Sequence, residues 1–317
     1  NCLGIVSKRQ YNTFFLPHYK LPFHDAPGDD LVCISQSGAY LVTVSSNLDG
    51  IIFPRVSVSY GNQMDLTVSD FLEYYLGDDT ARVLACYIEG FKPLDGERFV
   101  RLARELRARG RRVIAFKAGK TALGAKAAQS HTASLAGDYA VARSLMQQAG
   151  VVVAETLNMF EDYVKIFTML SDRIPADGGH RVAIISNAGF ECSTVLDRMY
   201  NLTLAPLSPA TQQRLRGCLP DIAHADNPID ATPMATTKQF VEAAAAMLED
   251  PAVDALLVSP VPVTPALDDL APDPIGTHGE NMYAAGSLPQ ELVRLFRSTT
   301  KPVVVAVDSG RLYDDFV

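Results

Sequence analysis

The feature that most restricts how this chain can fold is an alternation. Short apolar runs, each closed by small polar residues, are followed by stretches with helical spacing, and the pattern repeats from residue 31 onward. Leu31–Ser35 leads into helical spacing up to Asn47, and Val56–Tyr60 into a helix from about Asp65 to Leu76. Val83–Ile88 precedes the helical stretch Glu97–Ala108. Val113–Phe116 precedes a run of small residues, Gly119 to Gly137, read as a loop. Tyr139–Gln148, Val151–Ala154 and Leu157–Leu170 then read as helix, strand and helix. Strands that are apolar at nearly every position must be buried on both faces. With crossover helices between them, they specify a mainly parallel sheet. Residues 1–30 are rich in aromatics, Pro and His without a clear period, and read as an extended approach segment.

Ile174-Pro175-Ala176-Asp177-Gly178-Gly179 is small, polar and rich in Pro and Gly, the composition of a linker. After it the alternation restarts. Val182–Ser186, Asp254–Ser259 and Val303–Val307 read as strands, and Glu191–Met199, Ala210–Leu215, Lys238–Leu248 and Glu291–Phe296 as helices. Pro260 to Ser287 is proline-rich and aperiodic, a long loop of the kind that more often carries function than not. Two doubly wound α/β units in tandem are expected, residues 1–173 and 174–317, each long enough to bury a core.

With 48% apolar and 20% charged residues the composition is that of a globular protein, which excludes a fibre, a rod or a disordered tail. No apolar run is long enough to span a membrane, and no signal peptide is evident at the N-terminus. Residues 1–150 carry 17 Lys and Arg against 14 Asp and Glu, residues 151–317 carry 11 against 22. An acidic second half argues against nucleic acid as a partner. The one basic cluster, Arg98 to Arg112, has Phe99, Leu102 and Leu106 at helical spacing, so it reads as an amphipathic helix with a solvated arginine face. Five scattered cysteines, Cys33 and Cys86 inside apolar runs, fit a reducing cytoplasm.

In open parallel sheets ligands bind beyond the carboxyl ends of the strands, where helix N-termini present free N–H groups. Four strand ends of the first half carry polar residues: Ser35-Gln36-Ser37-Gly38, Ser59-Tyr60-Gly61-Asn62, Glu89-Gly90 and Lys117-Ala118-Gly119. The topology should align them on one rim. Ser35 to Gly38 has the form of a phosphate cradle, with Gly38 allowing close approach and Ser37 placed to cap a helix. Gly119-Lys120-Thr121 is not a P-loop, because Ile114 stands where the first glycine is required. The dinucleotide fingerprint, the nucleophile elbow and zinc-type Cys/His spacing are also missing from the sequence. His18, His24, His180, His224 and His278 sit in loop or turn sequence and read as solvated. His131 differs, lying among Ser130, Thr132 and Ser134 after a strand and before a helix. An imidazole there is either a solvated side chain or a nucleophile towards phosphorus. Glu89, a carboxylate at a strand end, reads from its position as a cap of the following helix.

In order and spacing, several segments resemble the nucleoside-diphosphate-forming acyl-CoA synthetases, relatives of succinyl-CoA synthetase. They are Asn1-Cys2-Leu3-Gly4, Ser35-Gln36-Ser37-Gly38, Ser59 through Asp65, Tyr87-Ile88-Glu89-Gly90, Lys117-Ala118-Gly119-Lys120, Ser130-His131-Thr132, Ser186-Asn187-Ala188-Gly189 and Asn227-Pro228-Ile229-Asp230. The resemblance covers nearly the whole chain. It implies two flavodoxin-like ligase domains and the reaction acid + CoA + ATP ⇌ acyl-CoA + ADP + phosphate, run through an acyl phosphate and a phosphohistidine. By motif, His131 would carry the phosphoryl group and Glu89 would orient it. Ser35, Gln36, Ser37, Gly38, Thr132, Asn187, Ala188 and Gly189 would bind phosphate, and Gly61, Asn62 and Lys117 would line the substrate pocket. No resident metal is implied. CoA and ATP/ADP with Mg2+ would be held mainly by a CoA-binding domain and an ATP-grasp domain or subunit, neither of them in this sequence. The 317 residues alone are therefore expected to be inactive, within an oligomer acting on a small carboxylic acid, with neither nucleic acid nor membrane as partner. Ala133, Phe190 and Glu191 stand where relatives have glycine. They keep open a descendant that binds a CoA ester without catalysis, or an acyl- or carbamoyl-transferase of the same superfamily.

Overall fold

The computed structural model describes residues 3–8, 10–17, 19–21, 29–132, 138–174 and 178–316, with the side chains of residues 129–132 outside the description. The linker residues Pro175, Ala176 and Asp177 lie outside it too, as do Asn1, Cys2, His18, His24 and the stretch from Ala133 to Gly137. The chain divides into two compact units, Asn1–Ser171 and Asp172–Val317.

In the first unit the elements run β1 (Gly4–Ser7), β2 (Tyr11–Asn12), β3 (Asp29–Ser35), α1 (Gly38–Asn47), β4 (Pro54–Ser59) and α2 (Val68–Leu76). They continue with β5 (Val83–Ile88), α3 (Asp95–Ala108), β6 (Arg112–Lys117), α4 (Ala122–Thr132), α5 (Tyr139–Gln148), β7 (Val152–Ala154) and α6 (Leu157–Met169). The sheet order is β2-β1-β4-β3-β5-β6-β7, parallel from β4 to β7, with β1 antiparallel to both β2 and β4. Side chains alternate across each central strand. Val32, Ile34, Leu84 and Cys86 enter one core with Leu72, Phe99, Leu102 and Leu106 of α2 and α3. Leu31, Cys33, Val83 and Ala85 enter the other with Leu41 and Val44 of α1 and Phe160 and Val164 of α6. The expected parallel sheet and the arginine-faced helix are both present.

Two parts of the first unit differ from the sequence reading. Gly4–Ser7 and Tyr11–Asn12 form an antiparallel edge pair, and β1 is joined to the sheet by antiparallel pairing with β4, a strand distant in sequence that no local pattern announces. The run of small residues after β6 is not a loop throughout: α4 occupies Ala122–Thr132. Ala122, Ala125, Ala127 and Ala128 explain it, since alanine is the strongest helix former and outweighs the single Gly124.

The second unit contains β8 (Arg181–Ser186), α7 (Gly189–Leu196), β9 (Thr203–Leu204), α8 (Pro209–Cys218), β10 (Ile229–Asp230), α9 (Thr237–Glu249), β11 (Ala255–Ser259), α10 (Leu288–Arg297) and β12 (Val303–Val305). A 3-10 turn at Arg311–Phe316 follows. The parallel order is β10-β8-β11-β12, with β9 beside the start of β8. Phe240, Ala243, Ala244 and Met247 of α9 and Leu292 and Leu295 of α10 pack on Ala183, Ile185, Leu256 and Val258. Residues 260–287 hold neither helix nor strand, as the proline-rich sequence suggests. Among the described residues no helix is long and apolar enough to cross a membrane.

Candidate active site at the strand ends of the first unit

Register decides the site. Ser35 lies opposite Ser59 on one side and Tyr87 on the other, and Ile88 lies opposite Lys117, so β3, β4, β5 and β6 end level with one another. The four polar strand ends therefore form one rim.

The β3–α1 turn is preformed. Ser37, in extended conformation, caps α1 by accepting a hydrogen bond from Tyr40 N at 3.2 Å. The Ser35 hydroxyl accepts from Ser37 N at 3.2 Å and donates to Ser37 O at 2.7 Å. Gly38 fits closely against the sheet, since a Cβ there would come within 3.1 Å of Leu3 Cβ and 3.4 Å of Ser59 Oγ. The first turn of α1 carries no acidic residue, so its N-terminal partial positive charge is uncompensated by its own sequence.

Gln36 is 3% exposed, and its side chain points into the rim. Its Oε1 accepts from Glu89 N at 2.7 Å and from Gly90 N at 3.1 Å. Lys117, also 3% exposed, donates from Nζ to Glu89 O at 2.8 Å and to Ala118 O at 2.7 Å. Burial pulls the lysine pKa down to about 8, against the attraction of Glu89. Gln63, left-handed at φ 57°, donates from Nε2 to Gly90 O at 2.9 Å. Glu89 itself is half-buried. It does not cap the following helix, whose N-cap is Leu94.

The substrate-pocket candidates separate. Gly61 and Asn62 line a cleft of about 360 Å3 with Ile5, Tyr60, Met64 and Phe71. Lys117 borders a different cleft of about 280 Å3 with Phe91, Lys92 and Pro93. Gly61, at φ +64°, allows the turn out of β4.

The backbone of His131 and Thr132 forms the last turn of α4, which rises from the end of β6; their side chains lie outside the described residues. One feature of this segment escaped sequence reading. Glu155, just after β7, pairs with Lys120 at 2.9 Å before α4 and with Arg143 at 2.7 Å in α5, so a single carboxylate ties both flanks of the His131 segment. Contacts between residues so far apart in sequence leave no local pattern. Of the remaining histidines, His180 and His224 are exposed, while His278 is half-buried and accepts from Glu280 N at 3.3 Å.

The corresponding junction of the second unit is built differently. Asn187 is fully buried and its amide is spent. Nδ2 donates to Val261 O and to Thr264 Oγ1, each at 3.0 Å, and Oδ1 accepts from Val261 N at 2.7 Å. No donor of that side chain is left for a phosphate. Glu191 stands in the first turn of α7, only 8% exposed, and its carboxylate accepts from Ser259 Oγ at 3.0 Å. A carboxylate in that place compensates the helix dipole and repels an anion near Ala188 and Gly189. Asn227 is also structural: it bonds Ile184 N, Val182 O and Ala205 O. Among the described residues no group of three or more His, Cys, Asp or Glu is placed to hold a metal ion.

Comparison with known proteins bears on this rim. Residues 29–167 match the family model described as succinyl-CoA ligase like flavodoxin domain. The chain is similar to the alpha subunit of an ADP-forming acetate–CoA ligase II from Pyrococcus furiosus, 34% identical over 290 residues, covering 90% of this chain and 59% of that one. It is also similar to an ADP-forming acetate–CoA ligase I from Archaeoglobus fulgidus, 34% identical over 308 residues, covering 95% of this chain and 43% of that one. Among solved structures it resembles the dinucleotide-forming acetyl-coenzyme A synthetase 1 of Candidatus Korarchaeum cryptofilum in complex with phosphate and ADP. The TM-score is 0.77 at 26% identity, over 99% of this chain and 63% of that one. The chain thus spans about half the length of the curated relatives it matches.

Proposed function

The chain belongs to the nucleoside-diphosphate-forming acyl-CoA synthetases, and on that premise we propose that it is the ligase core of such an enzyme, with His131 as its phosphoryl carrier. Residues 1–173 are the phosphohistidine domain in this reading and residues 174–317 a second ligase-type flavodoxin domain. A ring nitrogen of His131 attacks the phosphorus of an enzyme-bound acyl phosphate. The P–O bond to the acyl group breaks, and a carboxylate leaves with the electron pair. The phosphoryl group passes from the imidazole to ADP in the second transfer, and the reverse sequence activates the acid. Glu89 accepts a hydrogen bond from the other ring nitrogen, which sets the tautomer and stabilises the imidazole as charge develops on it. The N–H groups of α1 beyond Ser37 and Gly38 face the phosphoryl oxygens and stabilise them without reorganising.

The observation that carries this reading is the level ending of β3, β5 and β6, with an uncompensated helix N-terminus at the first, Glu89 at the second and the His131-bearing helix after the third. The rim of the second unit, occupied by Glu191 and by the engaged Asn187, favours confining phosphoryl chemistry to the first. CoA and ATP with Mg2+ belong in this reading to CoA-binding and ATP-grasp domains, on the same chain or another. Incubating the complete enzyme with ATP labelled at the γ-phosphate is expected to give an acid-labile, base-stable label on His131. Persistence of activity in His131→Ala without such a label would reject the reading.

A further inference from the structure

We propose that Gln36, Gln63 and Lys117 are positioning residues that hold the Glu89–Gly90 backbone, and through it the Glu89 carboxylate. The catalytic meaning of this cradle rests on the phosphohistidine reading; its geometry does not.

Strand β5 ends at Ile88, so the peptide groups of Glu89 and Gly90 pass beyond the sheet ladder, and their N–H and C=O groups need other partners. Three neighbours supply them. From the end of β3, Gln36 Oε1 takes both N–H groups, at 2.7 and 3.1 Å. At the end of β6, Lys117 Nζ reaches the Glu89 carbonyl at 2.8 Å. From the loop after β4, Gln63 Nε2 reaches the Gly90 carbonyl at 2.9 Å. All four main-chain polar groups of this dipeptide are thereby paired with side chains. Each of the three is 3% exposed, far too buried to be a surface side chain in chance contact.

The donor and acceptor inventory supports a positioning role for the groups it engages. One amide oxygen accepting two N–H groups has its lone pairs filled, and a lysine that bridges two carbonyls has one N–H left, while the Gln36 Nε2 amino group is buried without a hydrogen-bond partner among the described residues. Gln63 is also held in the left-handed region, a conformation that a non-glycine residue keeps only when its surroundings enforce it. Both peptide groups flanking the Glu89–Gly90 junction are therefore fixed, which leaves the Glu89 side-chain torsions as the main freedom of that carboxylate. A general base or orienting group displaced by an ångström loses about a hundredfold in rate.

The test uses the complete enzyme carrying Gln36→Met, which matches the side-chain length without the acceptor, and Gln36→Glu, which keeps the acceptor. Amide hydrogen exchange is expected to accelerate about tenfold or more at Glu89 and Gly90 in Gln36→Met, while Cys86 within β5 stays protected, and to return towards wild type in Gln36→Glu. Unchanged exchange at Glu89 and Gly90 overturns the cradle. The second arm is a double-mutant cycle on the rate of His131 phosphorylation. Gln36→Met is expected to slow it by about tenfold to a hundredfold in an otherwise wild-type enzyme, with substrate KM unchanged. In the Glu89→Gln background the same substitution should change the rate less than about twofold, because the group it positions is gone. Effects that multiply would assign Gln36 a direct contact with the phosphoryl group and overturn the proposal. Absence of label on His131 in the wild-type enzyme would sink the phosphohistidine reading, while the exchange arm would still decide the cradle.

Discussion

Replacing Asn187 separates a ligand from a structural fastening. Its side chain makes three hydrogen bonds to the loop that follows β11, at 2.7, 3.0 and 3.0 Å, and is itself fully buried. Asn187→Ala would leave Val261 N–H, Val261 C=O and the Thr264 hydroxyl without that partner. The hydroxyl has a fallback, since it already lies 3.4 Å from Val261 O. That contact also keeps a donor on Val261 C=O, so one main-chain group, Val261 N–H, loses its partner, at about 1–3 kcal/mol and nearer the lower figure because Val261 is only half-buried. The expected cost is about 1–2 kcal/mol, a fall in Tm of roughly 2–8 °C for a domain of this size. Urea unfolding of the complete protein, followed alongside phosphate affinity, reads both quantities. A variant that melts like the wild type would refute the fastening argument. A loss of phosphate affinity at unchanged stability would make Asn187 a ligand after all.

Two further outcomes follow from charge and backbone. Asp269 is 2% exposed, and burial, with Glu280 and Asp268 beside it, raises its pKa from 3.8 to about 7. The folded state then binds the extra proton between about pH 4 and 7. Stability should fall as pH rises through that window, by at most about 1.4 kcal/mol per pH unit, and level off above it. Asp269→Asn should flatten the slope in pH-dependent unfolding, and an unaltered slope would count against this assignment; Asp250 and Asp254, both lowered to about 2, act with the opposite sign below pH 4. Gly119 turns the chain from β6 towards α4 at φ +86°, with a Cβ position 3.3 Å from Ala125 Cα. Gly119→Ala should cost about 1–2 kcal/mol and slow His131 phosphorylation, and wild-type values for both would show that the turn accepts a side chain.

The central strands were readable because burial on both faces leaves no room for polar residues, as in Val83–Ile88, and the amphipathic α3 because Phe99, Leu102 and Leu106 repeat at helical spacing. What escaped was short or pair-dependent. The two-residue strands β2, β9 and β10 exist only through their neighbours, and α4 hid behind the glycine, serine and threonine residues around its alanines. In the site, the cap on Ser37 was legible because an N-cap is a local hydrogen bond. The roles of Gln36, Gln63 and Lys117 were not, since each acts on a backbone group dozens of residues away.

Sequence alone therefore determined the doubly wound class, the strand ends at which chemistry is possible and the histidine worth testing, because periodicity and local capping are written within a few consecutive residues. Only the tertiary structure decided which polar side chains at those ends remain available to a ligand. Hydrogen-bonding capacity is finite, and it is claimed first by main-chain groups that lose water when strands from distant parts of the chain come together.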